Sequence, residues 1–279
     1  MREPGQSLKR EAAAVAGDGS VTTAAGLSRR VGATARRDRW WLAPILTGAG
    51  LTAFGIYSIV VAVMGSDYLY TRGGARYLSP FYSPDLKSWG LHVSFTYAFF
   101  VIWVPLGFRL TCYYYRKAYY RSFFLAPPAC AVAGLSRGRY RGETRFPFIL
   151  MNVHRFFLYV ATIVLGFLWY DAVRAFFFRG SDGSLHVGVG LGSLIMLVNV
   201  VLLSLFTFGC NSLRHLVGGK LDCFTCSTPA RARHILWRGV SVLNGRHMQW
   251  AWISLGVVGL TDLYIRLASA GVFHDPRIF

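Results

Sequence analysis

Five long apolar runs limit what this chain can fold into. They lie at about Trp40–Met64, Trp89–Cys112, Phe148–Phe176, Val187–Phe208 and Trp250–Ala270. Each supplies the roughly 20 residues that an α-helix needs to cross a bilayer. A helix also satisfies its own backbone where no water can. The expected fold is therefore all-α, an integral membrane bundle of five transmembrane helices. Trp40-Trp41 opens the first run as an interfacial anchor. Pro44 falls in the first turn of that helix, where it costs little, whereas Pro105 lies inside the second helix and predicts a kink and a cavity near Arg109.

Charge decides between two kinds of partner. The net charge of +18 is of the size found in nucleic-acid binders, but only 15% of residues are charged and the basic ones sit between the apolar runs. That is the placement of membrane-flanking residues, so lipid rather than nucleic acid is the expected partner. Residues 1–39 are rich in Ala, Gly, Ser, Thr and Arg and cannot bury enough apolar surface to fold alone. They read as a disordered basic cytoplasmic arm without a signal-peptide core, whose Arg29-Arg30 and Arg36-Arg37-Asp38-Arg39 meet anionic headgroups. Residues 40–279 form the five-helix domain. Of the 30 Lys and Arg residues, 21 lie in the arm and in the second-to-third and fourth-to-fifth connections, against 7 on the other side. The positive-inside rule then puts the N-terminus in the cytoplasm and the C-terminus outside.

The two basic connections are also aromatic, at Tyr113–Phe124 and from Lys220 to Arg246. Such a mixture marks either an interfacial aromatic belt or a docking platform for a soluble partner. Five cysteines, an odd number without dense spacing, exclude a secreted disulfide framework.

The alternating topology sorts the polar residues by depth. Cys112 ends the second helix, His154 and Arg155 begin the third, Cys210, Arg214 and His215 end the fourth, and His247 precedes the fifth. All fall at the cytoplasmic side; His92, His186 and His274 fall at the other. Thiols and imidazoles at one depth suit a soft-to-borderline metal centre, zinc or iron–sulfur. A free Cys is more often apolar filler, and a His at a helix end more often an interfacial hydrogen-bonding residue. A bis-His haem is the main rival, pairing His154 with His215 or either with His247. Cys223-Phe-Thr-Cys226 is a lone C-x-x-C, a weak zinc or redox signal, and Cys130 is a spare thiol. Arg109, Tyr113, Arg155 and His247 could serve a quinone, whose carbonyls need donors near the aqueous face. A transporter would carry ionisable groups deep in the bilayer, and mid-helix charge here is scarce.

Several stretches carry a more specific likeness: Tyr77-Leu-Ser-Pro-Phe-Tyr-Ser-Pro84, Trp103-Val-Pro-Leu-Gly-Phe-Arg-Leu-Thr-Cys112, Asn152-Val-His-Arg155, Leu213-Arg-His-Leu-Val-Gly-Gly219 and Asn244-Gly-Arg-His-Met-Gln-Trp250. In these the chain resembles the membrane-anchor (cytochrome b-like) subunit of actinobacterial succinate dehydrogenase, over about residues 77–279. The resemblance implies a multi-pass subunit of respiratory complex II in the bacterial plasma membrane. It implies a flavoprotein subunit and an iron–sulfur subunit docked on the cytoplasmic face, passing electrons to menaquinone or ubiquinone. It implies a membrane-embedded Rieske-type [2Fe–2S] cluster in place of haem b, with ligands carried over as Cys112, His154, Cys210 and His215. Cys130 and His247 stand as the replacements. Succinate oxidation is not expected on this chain, which has no Gly-rich dinucleotide fingerprint. One spacing tests the set: Cys210 and His215 are five residues apart, about 140° and 7.5 Å on a straight helix. Both can reach one cluster only if that helix loosens before Gly218-Gly219.

Overall fold

The computed structural model describes residues 30–90, 95–135 and 142–278. Among these, four helices are long and apolar enough to cross a membrane: Leu42–Met64, Phe148–Arg174, Leu191–Phe208 and His247–Ser269. We label Leu42–Met64 α1, the regular part His154–Arg174 α4, Leu191–Phe208 α5 and His247–Ser269 α8. The second apolar run gives a shorter helix than its composition predicts. Helix α2 covers Ala98–Leu110, and 13 residues reach only about 20 Å against a hydrocarbon core of about 30 Å. Its start is set by Thr96, whose hydroxyl accepts from the Ala98 amide at 3.3 Å. Its end is set by Cys112, which turns extended.

Helices also fill the two basic connections: α3 (Tyr113–Ser122), α6 (Asn211–Gly218) and α7 (Thr228–Gly245). Ser227 starts α7 by capping the Ala230 amide at 3.3 Å, with Pro229 in the first turn. Helix α5 packs on α8 and on α4, α4 on α2, α3 on α1, and α6 on α7. Most of the large apolar side chains of α1, among them Ile45, Leu46, Ile59 and Val63, are exposed, as a lipid-facing helix requires.

The other end of the bundle carries two short antiparallel hairpins. In one, β1 (Leu69–Tyr70) pairs with β2 (Tyr77–Leu78); in the other, β3 (Phe177–Arg179) pairs with β4 (Leu185–Val187). They close over a core of Tyr70, Tyr77, Phe178, Met196, Val200 and Ile265. Charge inside this end is paired. On α8, Arg266 donates to Asp262 at 2.8 Å and to the Ser66 and Val61 carbonyls at 2.6 and 3.1 Å. Asp262 also accepts from Tyr57 at 2.6 Å and from Ser79. A second buried carboxylate, Asp171, accepts from Ser83 at 2.7 Å.

Of the predicted arm, residues 1–29 lie outside the described residues. From Arg30 on, the segment is tied to the loop after α3. Gly32 donates to Ala133 and Ala133 to Ala33, while the Thr34 hydroxyl reaches the Ala131 carbonyl at 2.6 Å.

Candidate metal centre and adjoining cavity

Two membrane helices end in the same way. Helix α2 stops at Leu110, and Cys112 (φ −70°, ψ 130°) turns the chain into α3. Helix α5 stops at Phe208, and Cys210 (φ −67°, ψ 137°) turns it into α6. Each thiol therefore sits at the N-terminus of a short helix, where free amides point outward. Cys210 Sγ accepts from the Ser212 amide at 3.4 Å. Gly209 lets the second break form: a Cβ there would press on the Leu205 and Leu243 carbonyls, and Asn244 donates to its carbonyl at 2.8 Å.

The two remaining members are the first residues of α4 and α8. His154 Nε2 lies 3.1 Å from Cys210 Sγ, and His247 Nε2 lies 3.7 Å from Cys112 Sγ. Phe108 stacks on His154 at 4.7 Å, Phe206 stacks on His247 at 5.1 Å, and the two Phe rings meet edge-on at 5.5 Å. The two Cys–His pairs are thus joined through one aromatic wall. Phe108, Cys112, Tyr115, Leu158, Phe206, Cys210 and Ala251 form a single buried apolar cluster. Cys112, Cys210 and His154 are 4%, 2% and 4% exposed, so water is excluded from the thiols.

Burial pushes both thiols up from their ordinary range; the amides of Tyr114 and Tyr115 at Cys112, and of Ser212 and Leu213 at Cys210, partly oppose it. Among the described residues no three His, Cys, Asp or Glu side chains converge tightly enough for a single metal ion. Two thiols and two imidazoles are the donor set of a Rieske-type two-iron cluster, in which one iron takes both Cys and the other both His. The contacts seen here pair each thiol with an imidazole, so it is the set of four that fits and not the pairing.

The other candidates fall elsewhere. His215 is exposed on α6, Arg155 is exposed on α4, and Cys130 is exposed in the loop after α3. Tyr113 is exposed, with the Arg116 guanidinium 4.7 Å over its ring. Cys223 and Cys226 are joined as a disulfide. Arg109 turns inward and donates to the Ala251 carbonyl and Ser254 hydroxyl, both at 3.0 Å, and to the Tyr115 hydroxyl. Its guanidinium also lies 4.4 Å over Phe206.

A cavity of about 950 Å³ opens beside the aromatic wall, lined by Pro105, Phe108, Arg109, Thr111, Tyr115 and Phe206 among mostly apolar side chains. Its polar groups are few, the pattern of a small-molecule site. Thr111 and Ser254 escaped the sequence reading, because only the fold brings α4 and α8 against the end of α2.

Comparison with known proteins places the chain. A family model described as actinobacterial succinate dehydrogenase subunit SdhC matches residues 42–271. Among solved structures, the chain is similar to one in the Mycobacterium smegmatis Sdh1 complex in the apo form. The two are 44% identical, with 88% of this chain and 94% of that chain covered and a TM-score of 0.77. No curated protein matches its sequence.

Proposed function

The chain belongs to the actinobacterial SdhC family of succinate dehydrogenase membrane subunits, and we propose that it both anchors complex II and conducts electrons to membrane quinone. The anchor role follows from the family and from the four apolar helices. For the electron-transfer role we assign a Rieske-type [2Fe–2S] centre to Cys112, His154, Cys210 and His247, with His247 taking the place the sequence reading had given to His215. One observation carries this: two thiols and two imidazoles from four different helix ends meet in one buried aromatic cluster.

Bound there, such a cluster would supply one-electron transfer. The chain's own residues hold it between the ends of two membrane helices, keep water away and fix both imidazole rings against Phe108 and Phe206. The cavity alongside takes the quinone ring, menaquinone or ubiquinone, and Arg109 is the donor to a carbonyl oxygen. Tyr113 and Arg155, being exposed, are left to the membrane surface or to partners. The face bearing α3, α6 and α7 receives the iron–sulfur subunit and, behind it, the flavoprotein subunit. In this reading α2 is a fifth, shorter membrane helix, the N-terminus is cytoplasmic and the C-terminus is outside.

The test is spectroscopic, on the purified complex. A Rieske-type centre gives weak visible absorption and a low-average-g EPR signal on reduction. A stoichiometric Soret band that Cys210→Ser leaves unchanged would instead establish a haem b anchor and sink the assignment.

A further inference from the structure

The two imidazoles of the Cys–His pairs are not equivalent, and the difference lies in their second nitrogens. Thr111 is buried between Leu110 and Cys112. Its hydroxyl donates to the Gly107 carbonyl at 2.7 Å. The same oxygen lies 3.0 Å from His154 Nδ1. A threonine hydroxyl has one hydrogen and two lone pairs. With the hydrogen spent on Gly107, the oxygen accepts from His154, so Nδ1 carries the proton. The Nε2 lone pair is then the free one, and it faces Cys210 at 3.1 Å. Phe108 sets the plane of this ring, stacking within 2° of parallel; Thr111 sets which edge points at the sulfur. His247 has no such support. Its Nδ1 is buried and has no hydrogen-bond partner among the described residues.

We propose that Thr111 is a positioning residue for the centre: its hydroxyl locks the tautomer and orientation of His154, making His154 and His247 inequivalent ligands. This rests on the cluster assignment above. A hydrogen-bond acceptor behind a ligating imidazole raises the basicity of that ligand and holds its ring in place. A more basic ligand stabilises the oxidised centre, so Thr111 lowers the reduction potential. Thr111 also joins the two halves of the site, because it precedes the Cys112 ligand at the break between α2 and α3 while orienting a ligand on α4.

The experiment uses the intact, purified complex carrying Thr111→Val, which keeps the side-chain shape but removes the hydroxyl, and Thr111→Ser, which keeps the hydroxyl. Three quantities are read: iron content, the midpoint potential of the low-average-g EPR signal, and its histidine nitrogen couplings by pulsed EPR. The wild type should show two unequal nitrogen couplings. Thr111→Val should raise the potential and alter one coupling of the two, while Thr111→Ser stays at wild type on both readouts. Where Thr111→Val yields no assembled complex, Thr111→Ser decides: wild-type iron content and potential with serine support the hydroxyl's role. A serine variant as defective as the valine one overturns it, since the methyl group then matters and not the hydrogen bond. Unchanged couplings and potential in Thr111→Val overturn the proposal while the cluster stands. A wild-type signal with no histidine coupling overturns the cluster assignment and this proposal together.

Discussion

His215 and His247 differ in where the backbone carries them rather than in their chemistry. Cys210 is the N-cap of α6, and His215 lies a turn and a half further along that helix, on its exposed side. The five-residue spacing thus keeps its full rotational penalty, because α6 stays helical to Gly218. His247 begins α8 and comes to Cys112 from another helix, 135 residues away in sequence. The assignment gives a direct comparison. His247→Ala should lose the low-average-g EPR signal and reduce quinone reduction by the intact complex on the order of 100-fold, in line with losses of metal ligation and its support. His215→Ala should leave both near wild type. Succinate oxidation by a soluble dye acceptor should survive both substitutions, which separates a lost centre from a complex that failed to assemble. The reverse ranking of the two histidines would restore the set carried over from the family resemblance.

At the scale of elements, helix ends do most of the positioning. Helices α2 and α5 each break at a cysteine, and α4 and α8 each begin at a histidine. The close approach of α2 to α4 depends on Gly107, where a Cβ would overlap the Phe157 ring. The far end of α8 is held differently. Asp262 and Arg266 are one turn apart, nearly or fully buried, and tie α8 to α1 through Tyr57 and Val61, to the loop after α1 through Ser66, and to the hairpin region through Ser79. Charges in a membrane-spanning helix persist where they are paired. Removing one partner strands the other, a loss of about 3–5 kcal/mol. Asp262→Ala should therefore markedly lower the thermal unfolding midpoint in detergent. Asp262→Leu combined with Arg266→Met should recover part of the loss, because no buried charge remains. A single variant as stable as wild type would mean the pair contributes nothing.

On the scale of the whole molecule, the bundle has two unlike ends. One is compact and polar-paired, with hairpins closing over Tyr70, Tyr77 and Phe178. The other carries the Cys–His pairs and the basic aromatic helices α3, α6 and α7. The proposed orientation turns the second end to the cytoplasm. A cysteine placed at Ser184, in the hairpin between β3 and β4, should then react with a membrane-impermeant maleimide in intact cells. Cys130, exposed at the opposite end, should react only after the membrane is opened. Labelling of Cys130 from outside would invert the topology.

The sequence alone determined the class of fold, because spanning a bilayer is a demand on local composition. The four long helices begin and end within a few residues of the apolar runs that announced them. It also determined that thiols and imidazoles would share one depth, since depth follows from alternation of the helices. It was silent on which of them touch. That depended on where α2 stopped, shorter than its apolar run, and on how α6 continued past Cys210, neither of which composition records. Tertiary structure made that choice. It set His247 beside Cys112 and His154 beside Cys210, and it put the Thr111 hydroxyl behind one imidazole and, among the described residues, no hydrogen-bond partner behind the other. The physical reason is that contact across a bundle is fixed by the rotation and breaks of separate helices, and hydropathy is blind to both.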